Sequence, residues 1–128
     1  MGTITAIYAS VLALLYIWLS TRVITYRRSN RISLGDKNDP ELRQRIRAHS
    51  NCAEYVPIGV ILLLLLELQG LPALAVHASG LCLLIGRAAH AIGLQPHPMN
   101  FGLRTIGMVL TLTQVVGTAF VLLAVALF

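Results

Sequence analysis

Arg47-Ala-His-Ser-Asn51-Cys-Ala-Glu54-Tyr55-Val-Pro57 sets an arginine, an asparagine and a carboxylate at the entrance of a long apolar run. Arg47, Asn51 and Glu54 are spaced i, i+4, i+7, which stacks all three along one face of a helix. An arginine there can grip a carboxylate through paired N–H donors, while Glu54 can receive an ammonium group or brace a guanidinium. Such a set suits a small amphoteric ligand with carboxylates and an amine. The placement is costly: a carboxylate at the centre of a bilayer costs about 2.5–3.5 kcal/mol, and less near its surface, unless a cation or hydrogen-bond donor meets it. Glu54 therefore marks either a functional site or an internal ion pair with Arg47 or Arg87.

The elements that must position these residues are membrane helices. The chain has 128 residues, 56% of them hydrophobic and 12% charged, against about 25% charged in an ordinary soluble domain. From Arg47 to Leu68 a helix rising 1.5 Å per residue crosses about 30 Å. Gly2 to Thr21 and Thr105 to Phe128 are free of charge over a spanning length, and Leu71 to Leu94 is interrupted by Arg87 alone. The pattern predicts an all-α integral membrane protein, a four-helix antiparallel bundle over 1–128, with helices at about 3–28, 40–69, 72–94 and 101–128. No basic residue precedes the first apolar stretch and no Ala-x-Ala-like site follows it, so it reads as a first span rather than a signal peptide.

Local signals set the ends. Asp39 followed by Pro40 predicts a capped start of helix two, after a polar loop over Ser29 to Pro40. Pro57 removes a backbone bond to the Ala53 carbonyl beside Glu54. Glu67 reads as an interfacial residue facing water, and His77 as a packing residue. Gln95 to Gly102, with Pro96 and Pro98, predicts a non-helical turn. Gly107, Thr111, Gln114 and Gly117 offer small or polar faces for close packing of helix four.

Eight of the ten basic residues lie between Arg22 and Arg47, and the other two, Arg87 and Arg104, flank the third turn. Four spans put all ten on one side, which the positive-inside rule assigns to the cytoplasm, with both termini outside. The same bundle gathers Arg27, Arg28, Arg47, Asn51, Glu54, Tyr55, Arg87, His90 and Arg104 at its cytoplasmic end. With cations exceeding one membrane-embedded carboxylate, that end points to an anionic ligand. No Gly-rich phosphate loop, nucleophile elbow, Cys-x-x-Cys or His-x-x-x-His is present, and nothing resembles a nucleic-acid module. Cys52 and Cys82 make neither a disulfide framework nor a metal-ligand pattern and read as packing residues.

The helix-two stretch resembles the signature of the membrane-associated proteins in eicosanoid and glutathione metabolism, MAPEG. Gly86-Arg87-Ala-Ala-His90 is similar to the third-helix motif of the prostaglandin E synthase branch, Arg104 falls at that family's arginine opening helix four, and Arg27-Arg28-x-x-Arg31 resembles the end of helix one in leukotriene C synthase. The similarity spans essentially the whole chain, and the short loops are most like small bacterial members. It implies a homotrimer in a bacterial inner membrane, with glutathione between adjacent subunits near the cytoplasmic side. Carried over by position, it implies that Arg47, Asn51, Glu54 and Tyr55 hold glutathione, that Arg87, His90 and Arg27 or Arg28 complete the cradle, and that Arg104 lies close to the sulfur as the catalytic residue. No metal is implied. The implied activity is that of a glutathione transferase or peroxidase, whose thiolate attacks lipophilic electrophiles or lipid hydroperoxides from the bilayer. Ser50 stands where the prostaglandin synthase has a second arginine, and Leu94 where several members have a tyrosine, which favours generic over eicosanoid chemistry.

Two alternatives stay open. Leu94 also suits a catalytically silent member that binds glutathione or lipid. A small proton-coupled exporter shares four short helices and an intramembrane glutamate, but its cationic cargo calls for an acidic site, whereas this one is rich in arginine.

Overall fold

The computed structural model describes residues 2–95 and 98–128, and among them it is all-helical, with no strand. The helices are α1 (Thr3–Ser29), α2 (Pro40–Leu68), α3 (Ala73–Gly93) and α4 (Phe101–Leu127), where the sequence predicts 3–28, 40–69, 72–94 and 101–128. All four are long and apolar enough to cross a membrane. Their outer faces carry exposed Leu14, Leu74, Ile85 and Phe120, among others. Water would penalise such a surface, whereas lipid does not. Pro96 and His97, in the expected turn, lie outside the described residues.

Side chains close the helix ends that backbone bonding leaves open. Asp39 accepts from the Glu41 and Leu42 amides at 2.9 and 3.1 Å, with Pro40 at the first helical position. The Tyr26 hydroxyl donates to the same carboxylate at 2.8 Å, tying the end of α1 to the start of α2. The Leu42 amide, then the Tyr26 hydroxyl, hold the Asp39 carboxyl below the usual carboxylate range. An ion pair of Arg43 with Asp36 at 2.7 Å and a bond from Arg27 to the Gly35 carbonyl at 2.7 Å fasten the rest of this loop. It needs fastening, because Arg31, Lys37 and Asn38 all adopt left-handed backbone angles that side chains disfavour.

Glu67, expected as an interfacial residue facing water, is half-exposed and has a further role that the sequence did not signal. The Ile4 and Thr5 amides donate to its two oxygens at 3.1 and 2.8 Å, so it caps the first turn of α1 from the far end of α2. The carboxylate fits because the first turn of a helix presents unpaired N–H groups and a positive dipole end. Spacing along α2 could not have shown this, since the capped residues are more than sixty positions away. Nearby, the Tyr8 hydroxyl and the His77 ring meet at 2.9 Å, in keeping with a packing role for that histidine.

The α3–α4 pair is the tightest seam. A Cβ on Gly107 would run into the backbone of His90 and Gly86, and one on Gly93 would stand 2.5 Å from the Arg104 amide nitrogen. The seam continues along α4 through buried Thr111, Gln114 and Thr118. Gly117, grouped with that face in the sequence, is instead exposed and has nothing near its missing Cβ. The spacing explains the difference: 107, 111, 114 and 118 follow one helical stripe, and 117 falls beside it. The half of the core nearest the α1–α2 loop is built from Leu19, Ala48, Cys52, Ala91 and Leu94. Gly107→Val should therefore destabilise the detergent-solubilised protein by about 1–3 kcal/mol through overpacking, while Gly117→Ala leaves it unchanged or slightly firmer, as read by thermal unfolding.

Candidate functional site

The antiparallel order brings the start of α2, the end of α3 and the start of α4 together, and a cleft of about 200 Å³ opens between them. From α2 it is lined by Arg43, Gln44, Arg47 and Asn51, from α3 by His90 and from α4 by Arg104, with Leu94 and Met99 as its apolar wall. Helical spacing explains the α2 contribution, since residues 44, 47 and 51 share one face. The glycine seam explains the other side: His90 and Arg104 meet the same opening because Gly93 and Gly107 let α3 and α4 close up.

No carboxylate lines this cleft, although Arg43 is engaged with Asp36. Among the described residues, Arg47 and Arg104 are exposed and make no ion pair. Gln44 adds a buried Oε1 that has no hydrogen-bond partner among the described residues. The cleft thus offers guanidinium groups and amide hydrogen-bonding groups at the mouth of an apolar bundle. Anions with planar oxygen pairs are what such an arrangement binds.

Behind the wall lies Arg87, only 2% exposed. Its guanidinium donates to Asn51 Oδ1 at 2.6 Å, to Thr111 Oγ1 at 2.8 Å and to Met108 Sδ at 3.3 Å. It also stands 5.3 Å from the centre of the Tyr55 ring, a cation–π distance. Arg87 and Tyr55 thus adjoin the cleft through Asn51 without being among the residues that line it.

The other residues singled out from the sequence lie apart. Glu54 is exposed, one turn beyond Asn51, and among the described residues it pairs with neither Arg47 nor Arg87. The face it shares with Arg47 and Asn51 is simply uncovered at that level of the bundle. Arg27 and Arg28 line a separate cleft of about 430 Å³ with Ile24, Arg31, Ile32 and Ser33. One chain therefore does not bring the helix-one arginines to Arg47 and Arg104. Leu94 is buried against Leu19, Ala48, Cys52 and Ala91, so the position where relatives of the resemblance carry a tyrosine is here part of the core.

Four residues contribute in ways the sequence did not signal. Arg43 and Gln44 sit four and three residues before Arg47, so the period that flagged Arg47 and Asn51 would have reached them if extended towards the N-terminus. Met108 and Thr111 act as Arg87 acceptors, and for that no spacing gives a signal. A further opening, an apolar groove of about 560 Å³, runs between α1 and α2 and includes Ala53, Val56 and Pro57, close along the helix to Glu54.

Comparison with known proteins places these features in a lineage. The chain is 38% identical to inner membrane protein YecN of Escherichia coli strain K12 over 105 residues, 82% of this chain and 79% of that protein. The same protein of Escherichia coli O6:H1 matches equally, at 38% over 105 residues. The model of the MAPEG family matches residues 5–125, which reaches into all four helices and takes in every residue of the cleft. The chain belongs to the MAPEG family.

Proposed function

We propose that this protein is a membrane-bound glutathione transferase or peroxidase that works as a homotrimer. The observation that carries the reading is the cleft: unpaired Arg47 and Arg104 beside Asn51 and His90, with no carboxylate in the lining. Glutathione is a small amphoteric anion with two carboxylates, an amine and a thiol, and it matches that inventory group by group. Arg47 receives a carboxylate, Asn51 a peptide or carboxylate oxygen, and the buried Gln44 Oε1 an N–H donor. Arg104 lies beside the sulfur and stabilises the thiolate, while His90 adds a further polar contact.

A free thiol has a pKa of about 8.5, and each unit by which nearby cations lower it corresponds to about 1.36 kcal/mol in favour of the anion. As a transferase, the thiolate sulfur forms a bond to an electrophilic carbon and expels its leaving group or adds across an activated double bond. As a peroxidase, two glutathiones reduce one hydroperoxide to an alcohol and water and leave as a disulfide. Lipophilic acceptors would enter from the bilayer by the apolar groove between α1 and α2.

Glu54 supplies the reason for an oligomer. A carboxylate exposed on a membrane helix without a cation is unfavourable, and a neighbouring copy would cover it and deliver Arg27 or Arg28 to the ligand it shares. Tyr55 and Arg87 back the same wall. The relative's name, with the positive residues at one end of the bundle, supports a bacterial inner-membrane location with regions 22–47 and 87–104 in the cytoplasm. A second reading, a silent glutathione or lipid binder, is favoured by one observation: Leu94 presents no hydroxyl to a thiol.

Calorimetry on the detergent-solubilised protein tests this proposal. Wild type should bind glutathione, and Arg47→Ala and Glu54→Gln should each weaken binding about tenfold or more, equivalent to about 1.4 kcal/mol. Native mass spectrometry should find three copies. Absence of glutathione binding in the wild type would overturn the reading, and binding by a monomer would remove Glu54 as an intersubunit group.

A further inference from the structure

Arg87 keeps its proton at any working pH, and a charge so deeply buried ordinarily calls for an anion. Among the described residues every partner is neutral: Asn51, Thr111, Met108 and the face of Tyr55. The guanidinium instead fixes directions. It can only donate, so the Asn51 atom facing it is the carbonyl oxygen, and the amino end of that carboxamide must point elsewhere. Asn51 also lines the cleft. On the other side, Thr111 Oγ1 accepts from Arg87 Nε and gives its single hydrogen to the Gly107 carbonyl at 2.8 Å. Donation therefore spreads outward from Arg87 on α3, one way through Thr111 to the Gly107 carbonyl on α4 and the other way to Asn51 on α2, with no bond free to reverse.

We infer that Arg87 is a positioning residue that acts through Asn51. It holds the carboxamide with both N–H donors offered to a ligand oxygen, a carboxylate or peptide carbonyl, and it locks that offer to the helix that carries Arg104. Arg87 itself does not touch the ligand. The identity of the ligand rests on the proposed glutathione site, whereas the orientation of Asn51 does not. A lysine at 87 keeps the charge but has no rigid fork with which to hold Asn51 and Thr111 together.

The test has two arms on the full chain in detergent. In the first, without ligand, the Asn51 side-chain amide signals are followed by nitrogen-15 NMR and identified by their loss in Asn51→Asp. They should move in both Arg87→Lys and Thr111→Val, and unchanged signals in both variants would overturn the inference. In the second arm, glutathione affinity is measured in a double-mutant cycle. Arg87→Lys should cost about tenfold in the wild-type background and less than about twofold in Asn51→Ala. An equal loss in both backgrounds would mean that Arg87 contacts the ligand or acts by general destabilisation, and would overturn a role through Asn51. Should Arg87→Lys fail to fold, Thr111→Val, which keeps the volume and removes the acceptor, must show the same dependence on Asn51. A wild type that binds no glutathione would sink the proposed function alone, leaving the NMR arm to decide the positioning role.

Discussion

A charge inside an apolar bundle must be met by something, and the rest of this structure follows from how Arg87 is met. With only neutral partners within reach among the described residues, its guanidinium is satisfied by geometry rather than by a counter-ion. That geometry demands that α3 and α4 approach until a threonine hydroxyl and a thioether lie against the arginine. The approach is possible because Gly86, Gly93 and Gly107 leave the seam without side chains. Lipid gives helices no hydrophobic drive to associate, so close packing and interhelical hydrogen bonds must supply it. Arg87 and the glycines serve both ends at once: they hold the bundle, and they leave net positive potential behind the cleft where Arg47 and Arg104 stand.

The ends of the bundle follow the same economy of polar groups. Asp39 closes α2 and holds Tyr26, and Glu67 closes α1 from across the molecule. Arg43 and Arg45 are engaged with Asp36 and Glu41. These contacts use four of the five acidic residues of the chain in the architecture itself. Glu54 is the one left over, on a face that the single chain does not cover. An excess of cations in the cleft and one uncovered carboxylate beside it are complementary to a zwitterionic ligand and a neighbouring copy, which is how the proposed trimer and the proposed ligand come to depend on each other.

Most of the fold could be read from the sequence because it rests on composition and period. Uncharged stretches of spanning length gave the helices, and Asp39-Pro40 marked the start of α2. The gathering of Arg47, Asn51, His90 and Arg104 followed from helix order together with the one-sided distribution of arginine. What could not be read depends on pairings across the bundle. Glu67 looks like any polar residue near a helix end until the first turn of α1 is brought to it. Arg87 looks like a cradle residue because it shares a helical face with His90, yet its side chain turns inward to Thr111. Gly117 looks like Gly107, and only the stripe through Thr118 separates them. Leu94 belongs to a motif by position and to the core by contact, a distinction that only packing reveals.

On the proposed reading, this cationic cleft holds glutathione and favours loss of its thiol proton to water. The most direct measurement is the ultraviolet absorbance of the bound thiolate followed against pH, in wild type and in Arg104→Ala. A thiolate band should appear in the wild-type complex at pH values below about 8, under the ordinary thiol range, and should be displaced to higher pH in the variant. A bound glutathione whose thiol titrates as it does free in solution, in both proteins, would contradict it.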